Sequence, residues 1–410
     1  MKKIFVIYLS LLAPRLYQAQ ISVLALNGQT INPITTAVPF LMISPDSKQG
    51  AMGDVGAATD PDVNSIHWNG SKLAMADKKF GFGFTVTPWL RQLVPDINLY
   101  YLAGYAKIND RQVIGASLRY FSLGNIELTN AQGIKTQDYR PNEFSIDLSF
   151  SQKLSKNFAL GIATRFINSG ISRVYSTSGG QGNAASTVAA DISMFYKSDR
   201  FKLGDKYATA TGGLAFTNVG AKIKYSNDEN FIPMNMRLGG GLKTEIDKYN
   251  TIGVYLDFNK LLVPTPPIYL RKLDSAGNET NEIVINQSTG AKEIKSGKNP
   301  NVGTVAGLLQ SFYDAPGGLN EELREINISA GLEYWYNNIF AVRTGYFYES
   351  RTKGGRQFFT AGIGVKYSII NIDGSYLIPT QLNNPLQRTW RISISFDFDA
   401  VKKVNEPVSP

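Results

Sequence analysis

The chain of 410 residues has no cysteine and only one histidine. Without cysteine it cannot carry a disulfide framework, a thiolate metal site or a lipidated amino-terminal cysteine. With His67 alone, neither a histidine-rich metal site nor a serine triad that spares this residue can be assembled. Beyond the amino-terminal stretch there is no run of about 18 apolar residues, which excludes transmembrane helices. No basic stripe interleaves with aromatics, so the formal charge of +9 does not read as a nucleic-acid surface.

What is abundant is aromatic and small. With 21 Tyr, 22 Phe and 38 Gly, the composition is that of a closed all-β architecture. Residues 1–19 read as an export signal: Lys2 and Lys3, an apolar run from Ile4 to Leu12, and an end at Tyr17-Gln18-Ala19. Removing it takes away Lys2, Lys3 and Arg15, and the remaining positive excess suits anionic lipid headgroups or acidic partners.

From Phe80 onward, large apolar residues alternate with small or polar ones. Phe80, Phe82, Phe84 and Val86 alternate with Gly81, Gly83 and Thr85; Phe144, Ile146, Leu148 and Phe150 with Ser145, Asp147, Ser149 and Ser151; Trp390, Ile392, Ile394, Phe396 and Phe398 with Arg391, Ser393, Ser395 and Asp397. Strand pattern alone leaves two readings, a secreted sandwich with the apolar face inside or a membrane barrel with it outside.

Connection lengths choose between them. Fourteen strands are expected: 80–87, 97–107, 111–123, 143–153, 157–168, 187–197, 207–217, 236–245, 251–259, 326–336, 339–349, 357–367, 370–377 and 389–398. Connections after even strands are tight, as at Asn109-Asp110 and Asn337-Asn338, whereas those after odd strands are longer, as at 124–142 and 260–325. Short turns on one rim and long loops on the other define an all-β membrane protein, a fourteen-stranded antiparallel outer-membrane β-barrel. The even count is expected to leave both termini on the periplasmic, short-turn rim, with long loops at the cell surface.

Residues 20–79 form the leader and plug, 80–398 the barrel with a large extracellular insertion at 260–325, and 399–410 a periplasmic tail. Thr35 to Ala74 is rich in Gly, Ala, Pro, Asp and Asn, yet too apolar for a solvated arm, and it lacks both a strand and a helix period. It reads as an amino-terminal plug. Candidate lumen positions Gly81, Gly83, Gly161, Ala163, Gly362 and Gly364 either make room for the plug or ease barrel curvature.

Positive signs of catalysis are missing, and the chain is read as a non-enzyme without cofactor or metal. His67 beside Trp68 is expected to pack and hydrogen-bond. Partner-binding candidates lie on the long-loop rim: Trp89, Leu90, Leu93 and Val94 in the first loop, exposed or folded inward over the lumen, and Leu308, Leu309 and Phe312 in the insertion. There, Val302, Val305, Leu308, Leu309 and Phe312 fall at helical spacing over 301–313, Asn320 is a candidate cap for 321–324, and 271–299 reads as a polar, mobile middle.

Ala37-Val38-Pro39-Phe40-Leu41-Met42-Ile43-Ser44-Pro45-Asp46-Ser47, then Gly50-Ala51-Met52-Gly53-Asp54-Val55-Gly56-Ala57-Ala58 and His67-Trp68-Asn69, closely resemble the PorV family, outer-membrane components of the type IX secretion system of Bacteroidetes. Ser311-Phe312-Tyr313-Asp314-Ala315-Pro316-Gly317-Gly318 resembles it too. The resemblance marks Pro39, Phe40, Met42, Gly50, Met52, Gly53, Asp54, His67, Trp68 and Asn69 as structural plug residues. It implies a subunit that takes cargo from the translocon pore protein by its C-terminal signal domain and delivers it to a PorU-like sortase, with PorQ and PorZ as further partners. That family is similar in turn to the FadL family of plugged barrels, which implies as an alternative a channel for hydrophobic small molecules. Where FadL-like plugs end in Asn-Pro-Ala, this chain has Asn69-Gly70-Ser71.

Overall fold

Alternation along each strand gives a barrel that is apolar outside and polar inside. The computed structural model describes residues 31–129, 134–171, 184–225 and 229–399. The expected signal, the start of the leader and the tail beyond Asp399 lie outside the described residues. Leu148, Ile162 and Val188 are 61%, 59% and 60% exposed, while Asp147 on the neighbouring position of the same strand is fully covered. In a sandwich the apolar side chains would be the covered ones, so this inversion makes hydrocarbon the medium that meets them.

The wall is built from β1 (Phe80–Pro88), β2 (Asn98–Lys107), β3 (Gln112–Ser122), β4 (Asn142–Lys153), β5 (Phe158–Ser169), β6 (Ala185–Lys197), β7 (Lys206–Gly220), β8 (Asn235–Glu245), β9 (Asn250–Leu261), β10 (Ile326–Tyr336), β11 (Phe340–Tyr348), β12 (Gln357–Tyr367), β13 (Ile370–Pro379) and β14 (Trp390–Phe398). Each pairs antiparallel with its sequence neighbours. Pairing of β1 with β14, from Phe80 opposite Phe398, closes the ring and confirms the fourteen-stranded expectation. Closure removes every sheet edge, as a strand barrel in lipid requires. Among the described residues no helix is long and apolar enough to cross a membrane.

Two bands of exposed aromatics ring the wall. Phe80, Tyr196, Tyr207, Tyr336 and Tyr367 lie by the short turns; Tyr100, Tyr120, Phe166, Tyr348 and Tyr376 lie by the long loops. Such girdles belong where hydrocarbon gives way to headgroups.

Several loops carry ribbons that the sequence does not announce. Ile126–Thr129 pairs with Lys135–Tyr139, and within the insertion Arg271–Leu273 pairs with Glu279–Ile283 and Ile268–Tyr269 with Ile294–Ser296. The middle of the insertion is therefore folded into short ribbons, with Lys272–Glu282 and Lys295–Glu279 ion pairs across them. Their polar, low-alternation sequences leave backbone pairing as the main organising force.

The direction of the plug corrects one expectation. Asn32 gives its backbone N–H to the carbonyl of Thr352, in the loop after β11, and Ala37 gives its own to Phe231, in the loop after β7. At the other end, Lys79 donates to the carbonyl of Phe398 beside the short turns. The described segment thus runs through the lumen from the long-loop rim at Asn32 to the short-turn rim at Lys79. Strand parity places only the start of β1 and the end of β14; it is silent about a segment that crosses the lumen first.

Candidate partner-binding rim and the plug beneath it

The plug holds its shape by short-range caps and meets the wall through polar side chains. Asp46 caps α1 (Ser47–Gly50) by accepting from the backbone N–H of Gln49 at 2.9 Å, and its second oxygen accepts from Trp68 Nε1 at 2.7 Å. Trp68 ends α2 (Ser65–Trp68), so this one carboxylate ties both helices together. Burial pushes the Asp46 carboxyl up to about 7, with the charge of Asp62 adding to it.

Wall residues then grip the backbone. Gly56 and Ala57 donate to the Asp257 carboxylate of β9 at 2.7 and 2.8 Å. Gly53 donates to Thr360 of β12, whose hydroxyl donates on to Ala51. Asn69 donates to the carbonyls of Ala57 and Met194, and Ser151 of β4 donates to Gly70. Arg119 of β3 donates to the Leu41 carbonyl at 2.7 Å and to His67 Nδ1 at 2.5 Å. A guanidinium can only donate, so Nδ1 is the accepting nitrogen of a neutral ring. Burial, then the Arg119 charge, hold the His67 pKa well below its ordinary value. Arg237 of β8 lies over the Trp68 ring, 4.6 Å from its centroid.

Glycine on the wall makes this approach possible at specific points. A Cβ on Gly161 would lie 2.6 Å from the Ser71 nitrogen, and one on Gly362 would lie 2.5 Å from the Ala51 side chain. Gly81 and Gly364 face wall residues instead, Tyr105 and Asp373 among them. Close plug packing therefore explains some of the expected lumen glycines, and Gly331 and Gly345 beside Met52 join them.

The other plug residues marked in the sequence have equally definite places. Pro39 and Phe40 open a short 3-10 turn, Pro39–Met42, with Phe40 buried and stacked on Phe121 at 6.2 Å. Met52 is fully buried with Val55 and Tyr255. Gly50 lies against the Arg391 guanidinium, and Gly53 has φ +69°, where a side chain is strained. Asp54 lies 3.9 Å from Arg391. The sequence reading missed the lumen arginines, although alternation places them. Arg165 bridges Asp147 and Asp191, and Arg343 bridges Glu333 and Asp373.

The plug divides the lumen. Toward the short turns lies a charged vestibule of about 400 Å³ lined by Lys48, Asp60, Lys243, Glu333 and Arg343 among others. Toward the long loops lies a largely apolar cavity of about 340 Å³.

Partner-binding candidates separate by orientation. Trp89 and Leu90 turn inward, packing on Phe347, Phe358, Leu377 and Leu386 and roofing the apolar cavity. Of the two expected orientations this is the inward one: a lumen mouth bordered by these apolar side chains is a better place for an indole than water. Leu93 and Val94 remain outside, Leu93 at 62% exposure.

In the insertion, helical spacing gives α3 (Thr304–Gln310), followed by α4 (Leu319–Arg324). Leu308 packs onto the core cluster that includes Phe40 and Leu41, while Val305 and Leu309 of the same helix are 70% and 58% exposed, with Phe312 and Tyr313 exposed beyond. Asn320 lies inside α4 and does not cap it; Gly318 at φ +66° precedes the helix, a conformation that favours glycine. On α4, Leu319 and Leu323 are exposed as well.

Beneath that apolar face is a buried ionic lock. Lys260 pairs with Glu322 at 3.0 Å and Glu325 at 2.6 Å, and Lys353 pairs with Glu325 at 2.9 Å and Glu321 at 2.5 Å. Thr265 donates its hydroxyl to Glu325 and its backbone N–H to Asp314. Asn32 reaches Glu321 at 3.1 Å. The Ser311-to-Gly318 motif is thus a fastening: Asp314 is buried so that Phe312 and Tyr313 are presented.

Fold and site together define an integral outer-membrane β-barrel with a plugged lumen. Residues 26–268 match the family model described as type IX secretion system protein PorV. The chain belongs to the PorV family, and it is an outer-membrane component of that secretion system. None of the curated proteins matches its sequence. Solved structures similar to it include the Pseudomonas putida toluene transporter TodX, at 13% identity and TM-score 0.46, with 88% of this chain and 100% of that chain covered. The Ralstonia pickettii toluene transporter TbuX is similar at 11% identity and TM-score 0.42, covering 86% and 98%. A Pseudomonas aeruginosa FadL homologue is similar at 11% identity and TM-score 0.41, covering 90% and 100%.

Proposed function

We propose that the long-loop rim faces the cell exterior and holds the C-terminal signal domain of translocated cargo, which the protein carries from the translocon pore to a PorU-like sortase acting with PorQ and PorZ. The observation that carries this reading is the apolar face of α3 and its flank, Val305, Leu309, Phe312 and Tyr313, exposed on an insertion whose next helix, α4, is fixed to the barrel by buried ion pairs. Exposed apolar side chains on an ordered platform support a protein partner, because a monomer gains nothing by ordering them toward water. A lumen filled by the plug supports capture on the rim over passage through the barrel. Leu93 and Val94 extend the same rim, and outer-membrane lipid and lipopolysaccharide surround the wall.

The test is the double substitution Leu309→Asp with Phe312→Asp, in cells lacking the native gene. The barrel folds, shown by a gel migration that changes on boiling, while cargo with an uncleaved signal domain accumulates inside the cell. Full surface display of cargo by the folded double variant overturns the proposal. The alternative of a channel for hydrophobic small molecules draws support from the loop-side cavity, and it requires loss of apolar-nutrient uptake in the deletion strain.

A further inference from the structure

The short-turn mouth of the barrel carries a pattern that neither the plug nor the surrounding lipid uses. Strands β2, β4 and β6 all end on lysine, at Lys107, Lys153 and Lys197, and β8 carries Lys243 two residues before its end. Alternation puts each of them on the lumen face, two residues beyond Tyr105, Ser151, Phe195 and Gly241. They are turned away from the headgroups around the wall.

Strand register sets them at one height. Lys107 stands opposite Val113 and Val113 opposite Ser151, two residues short of Lys153. Lys153 leads through Ala159 to Phe195, two short of Lys197, and Lys197 leads through Thr211 to Gly241, two short of Lys243. Repeating the step gives Trp335 on β10, Lys366 on β12 and Asp397 on β14, and from Asp397 it returns to Lys107. A stagger of two residues, about 6.6 Å, over two strand spacings, about 9.6 Å, is a tilt of about 35°, which is how barrel strands lean. These side chains therefore form a level ring around the mouth, and five of its seven members are lysines.

Among the described residues only Lys243 of the ring is ion-paired, with Asp60 of the plug at 2.7 Å. Of the acids lining the vestibule, Asp60, Asp62, Glu333 and Asp373 are held by Lys243, Lys48 and Arg343. Asp77 and Asp397 are left against the four unpaired lysines of the ring. A mouth lined by one sign of charge draws in the opposite sign.

We infer that this ring is a docking site for an acidic, extended segment of a partner protein, its carboxylates lying among Lys107, Lys153, Lys197 and Lys366 and its stem against Trp335. The vestibule behind the ring, about 400 Å³, takes a few side chains and no folded domain, so the partner enters by a loop or a chain end. By the same geometry the Cα atoms of neighbouring ring lysines are about 12 Å apart, a spacing that suits separate carboxylates on a peptide better than the close-set charges of a phosphate polymer. The site is at the opposite end of the barrel from the α3 face and does not depend on cargo capture there.

The experiment uses the full chain in phosphatidylcholine nanodiscs and follows the fluorescence anisotropy of a labelled peptide of alternating glutamate and glycine, with its glutamine counterpart and linear polyphosphate as comparisons. The glutamate peptide binds at least about tenfold more tightly than the glutamine peptide, and added salt weakens it. Changing Lys107, Lys153 and Lys197 together to Gln removes that preference, while changing them to Arg keeps it. Changing Lys224, Lys272 and Lys292 on the long-loop rim to Gln, an equal loss of charge, leaves binding as in the parent. Equal affinity for the two peptides overturns the proposal, as does a preference that persists in the folded Gln variant of the ring. Equal losses in the two Gln variants, or binding of polyphosphate without binding of the glutamate peptide, overturn it as well.

Discussion

Trp68 and Asp46 meet inside the plug, indole N–H to carboxylate at 2.7 Å, and both are sealed from solvent. The contact joins two helices of four residues each, neither of which would persist alone in water. Trp68→Phe keeps most of the ring volume and removes the donor, leaving a buried acceptor unsatisfied. We expect the plug to loosen by about 1–3 kcal/mol, read as faster trypsin cleavage after Lys48 and Lys72 while the barrel stays intact. Unchanged protection would show that the plug is held by the wall alone.

His67 gives a pH dependence of known sign. Its folded pKa is depressed by burial and by Arg119, so the unfolded chain takes up a proton below about pH 6.5 that the folded chain refuses. The stabilisation is present above that pH and lost as pH falls below it. His67→Asn retains an acceptor for Arg119 without a titrating ring. Comparing thermal unfolding of the two proteins from pH 8 to pH 5 should show a steeper loss in the parent; parallel curves contradict the assignment.

Gly362 tests the fit between wall and plug. A leucine there would drive into Ala51, whose methyl is already within 2.5 Å of a notional Cβ. Such overpacking costs about 1–3 kcal/mol, enough to displace a segment held by hydrogen bonds. In planar bilayers the parent should be silent and Gly362→Leu should conduct. A silent, folded variant would mean that the plug shifts without opening a path.

Glu325 accepts from Lys260, Lys353 and Thr265 at once. Glu325→Gln leaves two buried ammonium groups short of a partner, and breaking such a network costs about 3–5 kcal/mol. The expected outcome is local: proteolysis within 298–325 speeds up, and cargo capture falls although Val305, Leu309 and Phe312 are untouched. A protease pattern like the parent's would rule out the lock.

How far the sequence leads depends on which force decides each feature. Strand existence and count follow from period-two alternation across the whole wall, because one residue of slip would turn every leucine inward. Lipid outside and polar lumen inside follow from loop parity, since Asn109-Asp110 and Asn337-Asn338 turn tightly while 260–325 does not. The plug is legible from the conflict between its apolar residues and its lack of period. Its direction is not, because contacts such as Asn32 with Thr352 join residues hundreds of positions apart and leave no local trace. Trp89 and Leu90 show the same limit: composition marks them as needing cover, and only the position of Phe347 and Phe358 shows where the cover is.

The most direct test of the account is photocrosslinking in living cells from a benzophenone residue placed at position 312 on the long-loop rim, with position 148 on the lipid face and position 338 at a short turn as comparisons. The account predicts that position 312 captures cargo bearing its C-terminal signal domain, while positions 148 and 338 do not. Cargo captured at position 338 but not at position 312, or at none of the three in a strain that secretes normally, would contradict it.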